Sequence, residues 1–434
     1  MNYLREFLKY TLPSIMGMAV SSAYVITDGI FIGRGVGSTA LAAINIVWPL
    51  IAVIQALSMM VSVGGGTMMA IRFGEGKTKA GNDIFLQSFI SLLLAIGIFS
   101  FLGVLFADPI STLMGASPLL LPDAVAYLRF FLIFGIFWCI SIFLSVFVRN
   151  DGDPNLVFAA MATGALCNII LDYLFIFVFH QGVAGAAIAS GIGQLGSVAI
   201  LSLHFIKKRG RLRLYRIPYS WKEQWKIIKV GTPEFTTELS YPLNIFFYNI
   251  VLIHLMNELA VAAYCVISYI ITISFSIFLG VSTGIQPLIS HAFGGKEFKA
   301  VKAYFRIGLF ANFVLALIVY GLTFWLAPHL VAIMNTEPDL IQLTTPALRT
   351  YSVSIIFSAM TVVCITYFLS IKETRIANTI TIGRGLISNA LFIPLIPLIF
   401  GTKAIWIAGI WAEAASFLLA MICLRYAKRK STPH

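Results

Sequence analysis

Hydrophobic positions along this chain gather into twelve blocks, near 10–32, 41–63, 84–107, 126–148, 158–179, 183–206, 230–253, 260–290, 304–327, 347–370, 378–400 and 404–425. A hydrocarbon core about 30 Å thick takes about 20 helical residues to cross, so each block predicts one membrane-spanning α-helix. The longer blocks imply tilt, not additional crossings. Strands of a β-barrel would be about half this length and would alternate polar with apolar residues, which these blocks do not. The expected fold is therefore an all-α polytopic membrane protein with twelve transmembrane helices.

A polar, basic stretch, Lys207 to Lys229, interrupts the pattern at its midpoint, with nine basic residues against the single acid Glu223. On either side the sequence repeats weakly at an offset of 220 residues: Pro13 with Pro233, Ala42-Ala43 with Ala262-Ala263, Phe73-Gly74 with Phe293-Gly294 and Arg129 with Arg349. Four landmarks sharing one offset predict two homologous units. The expected division is an N-terminal six-helix bundle at 1–206, a basic linker at 207–229 and a C-terminal six-helix bundle at 230–434.

Composition agrees with the pattern. With a mean hydropathy of +0.91, 59% hydrophobic and 11% charged residues, a soluble domain would lack polar surface to cover itself. The net charge of +12 raises nucleic acid as a partner, and its distribution argues against it. If the N-terminus, the C-terminus and the even-to-odd connections share one side, 26 of the 30 Lys and Arg lie there; the others are Arg34, Arg129, Arg349 and Lys403. That bias predicts a multi-pass protein of the cell membrane with both termini and the linker cytoplasmic, the linker touching anionic lipid. No small-residue cleavage site follows the first apolar block, so that block is read as a retained span. The five cysteines all fall inside predicted spans, without metal-ligand spacing and with no sign of a disulfide framework.

Intramembrane polar residues carry the candidate chemistry. Asp28 lies in the apolar run VITDGIFIG, where a carboxylate costs about 3 kcal/mol on insertion scales and marks a functional site. Asn168 and Asp172 are four apart on the fifth span, so they share one helix face, with Thr163 near the same side. A carboxylate with an amide oxygen is a hard-oxygen set suited to Na⁺, and a buried carboxyl group can equally hold a proton. The sixth span adds the hydroxyl of Ser190 and the amide of Gln194, among small residues that permit close helix approach. The second half does not repeat these acids: Tyr248 stands where Asp28 would fall, and Asn389 answers Asn168 while Ile393 answers Asp172. Its own acids are Glu234 and Glu238 on the seventh span and Glu413 on the twelfth. Glu238 is placed to meet cations in a cavity, and Glu234, just after Pro233, reads as a helix-start cap. Tyr241, Phe247, Tyr248, Tyr264 and Tyr269 form a candidate aromatic lining for organic cations. Arg149, Asp151 and Asp153, in RNDGDP, suggest a local ion-pair network in a turn. Gly280-Val-Ser282-Thr-Gly284 fits G-x-S-x-G but falls inside a helix without a paired base.

TDGIFIG, the LAA after it, RNDGDP, NIILDYLFIF and GVAGAAIAS together resemble the multidrug and toxic compound extrusion family, in its branch of bacterial drug exporters. The resemblance runs the length of the chain. It implies two pseudo-symmetric six-helix bundles around a central cavity, with inward Na⁺ or H⁺ driving small organic cations or drugs outward. By motif match it implies a cation-coupling site of Asp28, Asn168, Asp172 and Ser190, the first three binding Na⁺ if sodium is the coupling ion, and a bend of the first helix at Pro13. Gln194, Glu238, Tyr241, Tyr248 and Tyr264 are the candidate substrate cavity. No cofactor is expected beyond the coupling ion, and a monomer is the default. Some members carry a further acid on the tenth span; YSVSIIFSAMTVVCITYFLS has none. Two alternatives remain: a flippase for a lipid-linked saccharide, which wants several basic residues in its cavity, and a membrane enzyme, which wants a nucleophile with a base or a metal cluster.

Overall fold

The computed structural model describes residues 3–334 and 337–431, the side chains of Ser38, Tyr241, Lys430 and Ser431 excepted. All regular structure among these residues is helical. The first half comprises α1 (Tyr3–Gly35), α2 (Ser38–Gly74), α3 (Thr78–Leu105), α4 (Leu121–Asn150), α5 (Pro154–Val178) and α6 (Gly182–Ile206). The second comprises α7 (Trp221–Leu255), α8 (Glu258–Gly294), α9 (Phe298–Met334), α10 (Pro338–Tyr351 and Ser354–Ser370, meeting at 44°), α11 (Thr374–Phe400) and α12 (Ile405–Ser431). Each apolar block of the sequence falls on one of these twelve, although several helices run seven to eleven residues past the block, as α2 does to Gly74 and α10 does from Pro338. A short helix, Ala107–Leu113, lies outside that expectation.

Ten of the described helices are individually long and apolar enough to cross a membrane, and α10 qualifies as a bent pair. α7 falls short because Glu234, Glu238, Asn244 and Asn249 interrupt its apolar run. It also starts earlier than expected. The last nine residues of the basic stretch are its first turns, opened by Ser220, whose hydroxyl accepts from the Glu223 N–H at 3.4 Å. Pro233 and Glu234 are therefore interior to the helix, and Glu234 is no helix-start cap.

The two halves meet through α1 against α8, α2 against α7 and α2 against α8. Glycine permits this. A Cβ on Gly74 would lie 2.1 Å from the His291 carbonyl oxygen, and a Cβ on Gly294 2.1 Å from that of Ile71. Both pairs differ by the 220-residue offset, so the crossing is reciprocal. The same holds for Gly284 against Thr11 and Gly64 against Gly231, where a Cβ would meet backbone at 2.6 and 2.9 Å. Gly280 faces Ile15 in like manner, so the glycines around Ser282 serve helix packing. Buried polar links cross the seam: Gln224 Nε2 of α7 donates to Gln87 Oε1 of α3 at 2.9 Å, and Gln286 accepts from Asn150 Nδ2 at 3.0 Å and donates to the Thr67 hydroxyl at 2.9 Å.

Backbone turns repeat with the same offset. Gly76 and Lys296 both take positive φ, at 76° and 58°, and so do Gly152 and Lys372, at 102° and 61°.

The basic stretch is strapped down on the first half. The buried carboxylate of Asp151 accepts from the backbone N–H groups of Arg211 and Leu212, both at 2.9 Å, and lies 2.8 Å from His204 Nε2. Asp153 pairs with Arg209 at 3.3 Å and accepts from Leu156 N to cap α5. Asn82 and Gln87 of α3 complete the strap through Arg213 N and the Pro218 carbonyl. The RNDGDP acids thus bind the linker, where an ion-pair network including Arg149 was expected. Arg149 is buried at the end of α4 with its Nε unpartnered.

Two outcomes are expected. Gly74→Val, which forces α2 from α8, should lower unfolding stability by about 1–3 kcal/mol, while Gly97→Ala, whose Cβ would meet nothing within 4 Å, should be near neutral in thermal unfolding of solubilised protein. Asp151→Ala removes a charged acceptor worth about 1.5–3 kcal/mol, and should speed tryptic cleavage within 207–216 by about tenfold or more.

Candidate functional site

α5 and α6 approach closely because Gly164 faces Gly193. A Cβ on Gly193 would lie 2.9 Å from both the Gly164 carbonyl oxygen and Asn168 Cβ. That proximity sets Asn168 Nδ2 to donate to the Ser190 hydroxyl at 3.2 Å. Asn168 and Asp172 are both fully buried, at 1% and 0% exposure. α1 packs along α5 and brings Asp28 opposite Asp172, so that the two carboxyl groups interact directly. Asp28, Asn168, Asp172 and Ser190, read separately from three stretches of sequence, form one cluster inside the first half.

The cluster is rich in acceptors and poor in donors. Asp28 Oδ1, both carboxylate oxygens of Asp172 and Asn168 Oδ1 are buried with no hydrogen-bond partner in the protein. Like charges held together in apolar surroundings favour uptake of a positive charge, either a proton on a carboxyl group or a cation among the oxygens. Among the described residues no group of three or more His, Cys, Asp and Glu has metal-binding geometry; here two carboxylates are supplemented by an amide oxygen, a hard-oxygen set suited to Na⁺. Immediately after Asp172 the helix loosens into a π-helical turn, Tyr173–Val178, a departure often found at functional sites.

Tyr24 and Tyr127 feel the charge of both carboxyl groups and belong to the surroundings of the cluster. Tyr24 lies one turn before Asp28, on the same face, which is the sequence signal that could have found it; Tyr127 on α4 gives none. The Thr163 hydroxyl donates to the Ala159 carbonyl on its own helix at 2.8 Å. Gln194 is half-buried one turn beyond Ser190. α1 runs through Pro13 without a break.

The remaining candidates lie elsewhere. Glu238 accepts from Gln55 Nε2 of α2 at 2.9 Å, at the contact between the halves. Tyr248 is not a cavity residue: it is fully buried, its ring 4.2 Å from that of Tyr264 and 5.7 Å from that of Tyr351. Its position opposite Asp28 in the repeat made it look functional, and aromatic packing explains it. Tyr264 does line a cavity, in the second half; Tyr269 is half-exposed. The side chain of Tyr241 lies outside the described residues.

Arg384, counted from sequence with the basic cytoplasmic connections, instead lies within α11, in the π-helical turn Gly383–Ser388. It pairs with Glu413 of α12 at 2.9 Å and donates to the Ser358 hydroxyl at 2.6 Å. The spans therefore hold a basic residue facing a cavity that hydropathy did not reveal.

The family model described as MatE matches this chain twice, over residues 13–174 and 233–395. The chain belongs to the MatE family, that of the MATE transporters. One copy of the model takes in Asp28, Asn168 and Asp172; the other takes in Glu234, Glu238 and Arg384. The multidrug export protein MepA of Staphylococcus aureus (strain MSSA476) is 26% identical over 430 residues, covering 96% of this chain and 92% of MepA. MepA of Staphylococcus saprophyticus subsp. saprophyticus is 24% identical over 425 residues, with the same coverage. Among solved structures, an outward-facing multidrug resistance MATE family transporter of the MOP superfamily superposes with a TM-score of 0.93 at 23% identity, covering 100% of this chain and 98% of that one.

The Asn168–Ser190 contact predicts that Ser190→Ala lowers unfolding stability by about 1 kcal/mol, the net worth of one hydrogen bond. Thermal or chemical unfolding of the solubilised protein checks it.

Proposed function

We propose that this MATE protein is a secondary active antiporter, exporting organic cations or drugs in exchange for inward Na⁺ or H⁺ by alternating access of its two halves. The observation that carries this reading is the pairing of Asp28 with Asp172, with their unpartnered oxygens, inside the membrane-spanning part of one half. The relatives named multidrug export proteins support the direction and the class of cargo.

α1 is the physical link between ion and gate. It carries Asp28 near one end, while Thr11 and Ile15, on either side of Pro13, press against Gly284 and Gly280 of α8. A cation at the carboxylates removes their mutual repulsion and changes the preferred path of α1, and Pro13, which lacks a backbone donor, is where the helix yields most readily. A shift there alters the contact between the halves. Ion and drug are coupled to the extent that they prefer different arrangements of that contact. The protein acts as a monomer in the cell membrane, with the strapped linker on the cytoplasmic face beside anionic lipid. The flippase alternative is weakened by the cavity in the second half, where Arg384 has its charge balanced by Glu413.

Ethidium efflux from vesicles with Na⁺ and pH gradients imposed separately tests the reading. Wild-type efflux should follow one gradient, and Asp172→Asn should reduce it by about tenfold or more, the loss of a charged ligand being worth upwards of 1.4 kcal/mol, with unchanged protein in the membrane. Full efflux by the variant would refute the cation-site assignment.

A further inference from the structure

The second half encloses a cavity of about 120 Å³ between α7, α8, α10, α11 and α12. It is unlike the acidic cluster of the first half, because its ionic groups are one cation and one anion. Arg384 Nε lies 3.1 and 2.9 Å from the two oxygens of Glu413, and its Nη2 donates to Glu413 Oε1 at 3.0 Å and to Ser358 Oγ at 2.6 Å. The guanidinium also stacks on Phe275, 4.9 Å from the ring centroid. Its remaining nitrogen, Nη1, is engaged by no described residue, and both side chains stay partly open, at 15% and 18% exposure. An unused donor of a buried guanidinium, next to open space, selects a carboxylate.

The rest of the lining offers the reverse. Ser240 and Thr381 donate their hydroxyl protons to carbonyls one turn back on their own helices, which leaves their oxygens able to accept. Asn244 Oδ1, also in the lining, is buried with no donor at all. These groups select an N–H-bearing cation. Thus the cavity presents an unsatisfied donor on Arg384 and unsatisfied acceptors around Asn244.

We propose that this cavity seats small zwitterions, the carboxylate on Arg384 and the ammonium toward Glu413 and Asn244. A lone anion on Arg384 Nη1 would add an uncompensated negative charge beside Glu413, and a lone cation at Asn244 and Glu413 an uncompensated positive charge beside Arg384. A molecule carrying both charges leaves the cavity as neutral as the Arg384–Glu413 pair alone, so no buried charge is left unbalanced. The volume holds several water molecules, and Phe275 and Tyr264 add aromatic carbon to its lining. As a statement about cargo this rests on the export reading above; as a statement about binding it does not.

The test uses purified full-length protein, without a gradient, and three probes sharing one phenyl group: L-phenylalanine, phenethylamine and 3-phenylpropionate. Equilibrium dialysis should show L-phenylalanine bound about tenfold tighter than either, the difference a charge-assisted hydrogen bond makes. The double variant Arg384→Gln/Glu413→Gln, which leaves no unpaired charge, should lose that preference while unfolding at a similar temperature. Asn244→Leu, outside the ion pair, should weaken L-phenylalanine about threefold or more and leave 3-phenylpropionate unchanged. Equal or tighter binding of phenethylamine or 3-phenylpropionate, no binding of L-phenylalanine, or a preference that survives in the double variant overturns the proposal. The preference should persist in Asp172→Asn, so a failure of ion coupling and a failure of this seat are separately visible.

Discussion

Two carboxyl groups held against each other in an apolar bundle are the constraint around which the first half is built. Neither Asp28 nor Asp172 has a basic neighbour in the described cluster, and three of their four oxygens are buried without a donor. Such an arrangement is costly unless positive charge is supplied from outside. The glycine crossing of α5 and α6, the anchoring of Asn168 by Ser190 and the course of α1 along α5 all serve to hold these oxygens at one point.

The second half uses the same scaffold for different chemistry. Its backbone follows the first closely enough that Lys296 and Lys372 adopt the left-handed turns occupied by Gly76 and Gly152, although a side chain there costs about 1–2 kcal/mol. Chain geometry has been kept where residue identity has not. In place of the acid pair there is an aromatic cluster, Tyr248 stacked on Tyr264 with Tyr351 edge-on to both, and α11 has a π-helical turn of its own that carries Arg384.

Much of this was legible in the sequence because lipid imposes strong rules. The twelve apolar blocks follow from the length needed to cross a bilayer, and the face shared by Asn168 and Asp172 follows from helical periodicity. What escaped was whatever depended on three-dimensional neighbours. Arg384 looked like part of a basic connection because it lies near the start of its block, and hydropathy does not register that Glu413, 29 residues on, faces it. Asp151 and Asp153 looked like partners for adjacent Arg149, whereas their partners lie more than 50 residues away, at the end of α6 and on the linker. Tyr248 was singled out by repeat register, which says where a residue is and nothing about what surrounds it.

The reciprocal crossing at Gly74 and Gly294 has a kinetic meaning. Where helices interlock through long side chains, parting them requires each knob to leave its hole and find a new rotamer. Here backbone lies flush against backbone, and the glycines have no rotamers to exchange. Such a seam parts and reseals with few side chains to rearrange, among them Gln286 with its partners and Gln55 with Glu238, so closure need not be slow. On the proposed alternating access, in which this joint opens and closes at every turnover, so bare a surface serves the exchange well.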